Sequence, residues 1–351
     1  MHPLASDPDV QAVVRSPSVE VDVVCELQTS DGWVDISDDL HRSGQVDYQL
    51  DRTLHRTGQV TLSRNLTWGV DRIRLSMTLS ASEGTFTVPV GVLLVSTPSS
   101  VADEEPATWQ VDCYDLLWLL DDVMGETFVA AEGNGHLETV RGLVSPSGLD
   151  LTLANEAAGD VPIAEDLLFP LDEELTRLQV VNRLLERVGY RGLWVDWQGR
   201  ARSEPIVGLA NRPVEWLYDA GADDTEVAEG AVRERDTWGR INRLVAVPED
   251  PDADLDRVEL TVADGRPQRS KVVSFDAADQ ETLGLLAAEE LEKARRVDEL
   301  FEVGVSANPL HAHRDVVRFV SPSLAVNRKC VVDGWRLPLD GSDMSLTLRA
   351  V

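Results

Sequence analysis

His311 and His313 stand two apart just before Asp315, a spacing that on a strand places both imidazoles on one face, where two ligands could meet a metal ion. No other cysteine or histidine lies near them, so a loop or surface pair is the plainer expectation. A second candidate is the run Asp250, Asp252, Asp254 and Asp256, whose alternate carboxylates resemble the opening of a calcium loop. The pattern lapses where such a loop is most demanding. Leu255 stands at the tight-turn glycine position and Thr261 at that of the bidentate glutamate. With Pro248 and Pro251 beside it, the stretch is expected to be a solvated loop joining two strands. Paired acids such as Asp121 with Asp122, or Glu104 with Glu105, could imitate a glycosidase pair, but carboxylates are too frequent here for adjacency to single one out.

Nucleophile, phosphate-loop and dinucleotide patterns are missing: there is no Gly-x-Ser-x-Gly, His-Glu-x-x-His or glycine-rich cofactor loop. No catalytic, cofactor-binding or metal residue is therefore assigned, and no enzyme is expected. Cys25, Cys113 and Cys330 lie far apart, each inside an apolar alternating stretch, which reads as inert buried thiols. Nine tryptophans invite a different use. Trp33, Trp68, Trp109, Trp194, Trp197, Trp216, Trp238 and Trp335 fall in or beside expected strands and turns, and Trp118 in an expected helix. They suit large anchors for cores and subunit contacts, with a stacking platform for sugars as the rival.

The elements that must position these residues are mostly strands. Val19, Val21, Val23, Cys25 and Leu27 alternate with polar residues, and the same period recurs at Val46 to Leu50, Val60 to Leu62, Ile73 to Leu79, Phe86 to Leu94 and Trp109 to Cys113. Leu116 to Leu120 is too continuously apolar for a one-faced strand and predicts a short buried helix. Helical spacing follows at His136 to Val144 and at Leu175, Leu178, Val181, Leu185 and Val188, with Asp172 as expected N-cap and Gly189 as stop. Two short strands, 192–197 and 201–206, are joined at Gln198 and Gly199. Beyond an acidic stretch, 219–230, strands are expected at Leu244 to Val247, Val258 to Val262, Val272 to Phe275, Phe301 to Val305, Val316 to Val320, Ala325 to Val332 and Met344 to Leu348. One helix, capped by Asp276, interrupts them through Leu283, Ala287, Leu291 and Ala294.

The 351 residues are 43% apolar, enough for two or three cores, and no run approaches the roughly 20 apolar residues of a membrane span. The first 18 residues lack the basic and apolar regions of a secretion signal, so neither export nor membrane insertion is signalled. With 62 acidic against 32 basic residues the net charge is −30, a surface that repels nucleic-acid phosphates and anionic membranes. Only Lys271, Lys293 and Lys329 are lysines. A GC-rich genome and adaptation to molar salt both favour arginine-rich, acidic chains; acidity together with scarce lysine favours a halophilic archaeal source.

Several stretches, in order, resemble the baseplate-hub or tail-associated protein family of tailed viruses. The opening strand with Asp31 to Ser37 resembles that family's first hairpin, and Leu50 to Ser63 its first barrel. Trp109 to Asp115 followed by Leu116 to Leu120 resembles its exit strand and helix. Val180 to Trp197, with Asn182, Leu184, Leu185, Gly189, Tyr190 and the Gly199 turn, is similar to the helix and hairpin of its inserted domain. Arg235 to Val247, with Asp236, Trp238, Ile241 and Asn242, resembles the start of its second barrel, and Asp315 to Val317 and Met344 to Leu348 that barrel's last strands.

The expected fold is thus mainly β with an α/β insertion, two β-barrel domains flanking a mixed α/β domain. Residues 1–16 would be a flexible segment, 17–115 the first barrel, 116–232 the α/β insertion and 233–351 the second barrel with one helix. The resemblance implies a non-enzymatic virion protein, a homotrimeric hub at the distal end of the tail. Three pairs of barrels would continue a sixfold tail tube, close it, and form part of the DNA channel without binding DNA specifically. Implied partners are the tail tube or distal tail protein, the tape measure protein, and tip or fibre proteins. The place of action is the virion tail after synthesis in the host cytoplasm. Because the chain stops at Val351, no appended lysin, peptidase or fibre domain is expected. A carbohydrate-binding tail-tip or cell-surface module is the alternative.

Overall fold

Alternation in the first third folds into strands because each apolar phase faces one shared core. A computed structural model describes residues 2–351 except 17, 68–69, 102–107, 156–159, 223–225, 229, 236–240, 264, 266 and 295–298. Trp68, Trp238, Asp236, Glu104 and Glu105 lie outside the described residues. Seven strands come first: β1 (Glu20–Thr29), β2 (Gly32–Asp35), β3 (Leu40–Gln49), β4 (Arg56–Leu62), β5 (Arg72–Ala81), β6 (Gly84–Val101) and β7 (Thr108–Asp115). They pair antiparallel in the order β3-β4-β7-β6-β5-β1-β2. Residues 116–120 form the expected buried turn of helix, capped by Asp115, whose Oδ1 accepts from Leu117 N at 2.9 Å.

The middle of the chain adds β8 (Phe128–Ala130), β9 (Leu151–Leu153), β10 (Leu167–Phe169), β11 (Trp194–Val195) and β12 (Ala201–Ser203) in two small sheets. The last third adds β13 (Trp216–Asp219), β14 (Val232–Glu234), β15 (Arg243–Pro248), β16 (Val258–Thr261), β17 (Ser270–Phe275), β18 (Leu300–Val305), β19 (Val316–Ser321), β20 (Val326–Pro338) and β21 (Met344–Ala350). Among the described residues four α-helices accompany them: α1 (Pro8–Val14), α2 (His136–Val144), α3 (Arg177–Arg187) and α4 (Gln280–Ala294).

Strand β20 joins the early and late strands. Its first half pairs with β19, from Val326 opposite Ser321 to Val331 opposite Val316. Its second half pairs with β3 along Gly334 to Pro338. At the changeover Val332 N donates to Asp315 O at 2.9 Å and Leu50 N to Asp333 O at 2.8 Å, so backbone bonding continues where one partner replaces the other. Gly334 permits the approach, since a Cβ there would stand 3.0 Å from Tyr48 O. The result is one 13-stranded sheet, and among the described residues its pairings close neither β segment into a barrel. Nor do β15, β16 and β17 belong to it. They form a separate three-stranded sheet carrying α4, with Leu244, Ala246, Leu283, Ala287 and Leu291 as its own small core.

Three local expectations change. Residues 8–14, expected to be flexible, form α1, and Val10, Val13 and Val14 are buried in the main core; their helical spacing is the missed signal. Helix α3 starts at Thr176, not Asp172: Thr176 and Gln179 form a reciprocal capping box, while Asp172 sits in an earlier turn. It ends as expected at Gly189, where φ is +70°. Ahead of α4 the capping carboxylate is Asp279, accepting from Thr282 N at 2.7 Å, whereas Asp276 reaches across to Arg187.

Candidate functional site: a polar seam behind the joining strand

Behind the changeover in β20 the core is polar. On the β3 side, Tyr48 Oη shares a 2.8 Å hydrogen bond with His313 Nδ1 and stacks on Trp335, ring centroids 5.6 Å apart. His313 lies flat against Trp194 at 4.5 Å and within 5.0 Å of His55. Burial, reinforced by His55 and Arg314, holds the His313 imidazole well below its ordinary pKa, so it sits here neutral.

His311 takes different partners. Asn308 Nδ2 donates to Tyr218 Oη at 3.0 Å, which leaves the phenol proton for His311 Nε2 at 2.6 Å. The other ring nitrogen lies 3.5 Å from Asp315 Oδ2, which also accepts from Ala312 N at 2.8 Å. Glu215 completes the chain. Burial pushes its carboxyl up to about 8, aided by its hydrogen bond with Asp315. Burial would raise Asp315 as well, but hydrogen bonds from His311 and Glu215 outweigh it and hold that carboxyl low, so the acid pair keeps one shared proton. His2 lies near this group, 4.3 Å from Trp197 and lowered to about 4 by burial.

The two histidines therefore do not converge as on a strand. They sit on the loop before β19 and serve separate networks, and among the described residues no cluster of three metal-ligating side chains occurs. Asp250 to Asp256 form the loop joining β15 to β16, where Asp250 Oδ1 accepts from Asp252 N at 2.9 Å and Asp256 is tied to Gln280 through its main chain. All three thiols are buried, and burial pushes Cys25 and Cys330 up to about 12. Trp194, Trp216 and Trp335 are buried anchors. Trp33 and Trp197 border a shallow cleft, but Arg74 lies 4.7 Å over Trp33 and Arg202 lies 5.9 Å over Trp197, opposing a sugar platform.

Arg56 and Asp115 escaped the reading of motifs, although both stand on the inward phase of their strands with Val60 and Leu62, and with Val111 and Cys113. Asp115 Oδ2 accepts from Arg56 N at 3.0 Å. The Arg56 side chain fits because Gly91 has no Cβ, which would stand 2.9 Å from Nη1. A charged residue on an apolar phase was the available signal.

The sheets also keep open edges. Among the described residues β2, β13 and β14 border the large sheet and β16 and β17 the small one, with Val34, Leu217, Val232 and Val272 exposed along them. Such edges pair readily with strands of another chain.

No family model matches the chain, and no curated protein does. Solved structures do. A tail protein from Neisseria meningitidis shares 13% identity at a TM-score of 0.67, covering 93% of this chain and 96% of that one. The 43 kDa tail protein of prophage MuSo2 from Shewanella oneidensis shares 11% at 0.63, over 94% and 98%. A prophage tail protein from Listeria monocytogenes shares 10% at 0.59, over 93% and 94%. At these identities the likeness shows a common fold, and that fold is the one found in phage tail proteins.

Proposed function

We propose that this chain is a structural virion protein, a homotrimeric hub at the distal end of a viral tail. The observation that carries this reading is the likeness of fold to three tail proteins along nearly the whole length of each partner. Residues 17–115 and 233–351 act as two barrel-like modules flanking the insertion 116–232. Strand β20 pairs with both early and late strands and so joins the two modules, each of which would offer one surface per subunit. Three subunits then offer six such surfaces to a sixfold tube. Open edges at β2, β14 and β17 are the places for pairing with neighbouring subunits or with tube, tape measure and fibre proteins. The acidic surface suits a wall past which DNA slides without sticking. No nucleophile or cofactor pattern supports an enzyme.

Light scattering in molar salt tests the assembly: a mass of three chains is expected, and negative-stain images should show rings with a central hole. A single-chain mass at every salt and protein concentration would remove the hub.

A further inference from the structure

A cavity of about 420 Å³ opens between the β3–β4 turn, α3, α4 and the loop before β19. Its lining runs against the character of the whole chain. Arg52, Arg183, Arg191, Lys293 and Arg314 face three carboxylates, Asp51, Glu186 and Glu289, whereas the chain as a whole carries −30. The excess is concentrated on one acceptor. Glu289 Oε1 receives Arg191 Nη1 at 2.5 Å, Arg314 Nη1 at 3.3 Å and Lys293 Nζ at 3.7 Å. Outside the lining, Glu173 pairs with Arg183 at 3.1 Å, Glu292 lies 3.9 Å from Arg314 and the Val207 carbonyl accepts from Arg191 at 2.7 Å, so the positive excess is confined to the cavity wall itself, where five cations meet three carboxylates.

Two further observations point the same way. Arg191 and Arg314 are nearly fully buried, and the Nε of each has no hydrogen-bond partner among the described residues. Arg314 also holds φ at +59°, a left-handed conformation that a side-chain-bearing residue adopts at a cost. Burial and the neighbouring Arg191 lower its guanidinium to about 10, as expected beside surplus positive charge, while burial raises Glu186 toward its neutral form.

We infer that this cavity is a binding site for a small oxyanion of the phosphate or sulfate class. Arginine forks and a lysine converge on it from four chain segments, an arrangement matched by an acceptor with several oxygens. Its place has a mechanical consequence. α3 belongs to the core of the insertion, α4 to the small core, and the loop before β19 to the main core, so one bound anion ties all three together. Binding would stiffen the chain where its parts meet.

Inorganic phosphate is the probe. Equilibrium dialysis with radiolabelled phosphate, at constant ionic strength set with sodium chloride, should give saturable binding of one phosphate per chain. Melting temperatures under the same conditions should rise with the logarithm of phosphate concentration above Kd, by about 3 °C at a hundredfold excess. Arg52→Gln with Lys293→Gln removes two accessible cations and spares the buried arginines; it should weaken binding about tenfold or more. A melting rise linear in phosphate is the general effect of an excluded salt and would overturn the site, as would equal binding by wild type and variant. Wild-type dialysis decides the matter alone if the variant does not fold.

Discussion

Glu215, partly buried, and Asp315, fully buried, hold one proton between them, and that arrangement carries a pH signature. Glu215 has its folded value raised to about 8 from an ordinary 4.5. Its contribution to stability is fully present below the unfolded value and is lost as pH rises toward the folded one, because the unfolded chain releases the proton first. Glu215→Gln keeps a donor for Asp315 and cannot ionise. The variant's melting temperature relative to wild type should therefore climb between pH 4.5 and about 8 and then level off; a difference independent of pH would show that the pair is not protonated. His2 acts in the opposite sense. Lowered to about 4 from 6.5, its contribution is present above 6.5 and fades as pH falls toward 4, and replacing it with phenylalanine should flatten that acid limb. Little of this network was legible in the sequence. His311 and His313 drew notice because of their spacing, yet their partners Tyr48, Tyr218, Asn308, Trp194 and Glu215 come from distant segments, and only the fold brings them together. Arg56 and Asp115 were legible in principle, since a charge on the inward phase of an alternating strand needs a buried partner.

Elements were more legible than sites because period and turn chemistry are local. Strands expected from alternation appear as β1, β3 to β7 and β15 to β21, and the helix expected at His136 to Val144 has those bounds. β8, β9, β10, β13 and β14 were missed. Each has three or four residues and is held by its neighbours, β8 and β10 by each other, β9 by β12, β13 by parallel pairing with β19 and β14 by antiparallel pairing with β18, so no internal pattern betrays it. Caps failed for a related reason. Several acids precede α3, and the sequence does not say which residue lies one step before the first helical turn. Thr176 does, with Thr176 Oγ1 accepting from Gln179 N at 3.2 Å and Gln179 Oε1 accepting from Thr176 N at 2.9 Å. Thr176→Ala should cost about 1 kcal/mol in urea unfolding, while Asp172→Ala should change little. Equal losses at the two positions would count against this assignment of the cap.

At the scale of the whole molecule, charge decides the conditions under which the fold holds. With 62 acids and 32 bases the surface repels itself, and the short-range pairs act against that repulsion. Arg74 meets Glu26 at 2.6 Å, Arg202 meets Asp196 at 2.7 Å and Arg336 meets Asp47 at 2.7 Å. Salt treats the two unequally. Pairs in contact are closer than the Debye length of about 3 Å at 1 M and about 10 Å at 0.1 M, while repulsion between scattered carboxylates acts over larger separations and is screened first. Added salt should therefore remove more repulsion than attraction and stabilise the folded chain, the behaviour proposed for a protein from a salt-loving host. Subunit contacts in the proposed ring carry the same acidic surfaces and should loosen first, giving trimers in molar salt and smaller species on dilution to near-physiological salt. Melting curves and light scattering across one sodium chloride series test both parts. A melting temperature unchanged from molar to near-physiological salt would remove the halophilic reading and leave the acidic composition to a GC-rich genome. A trimer that persists alongside it would leave the hub standing, since the fold likeness on which the hub rests does not depend on charge.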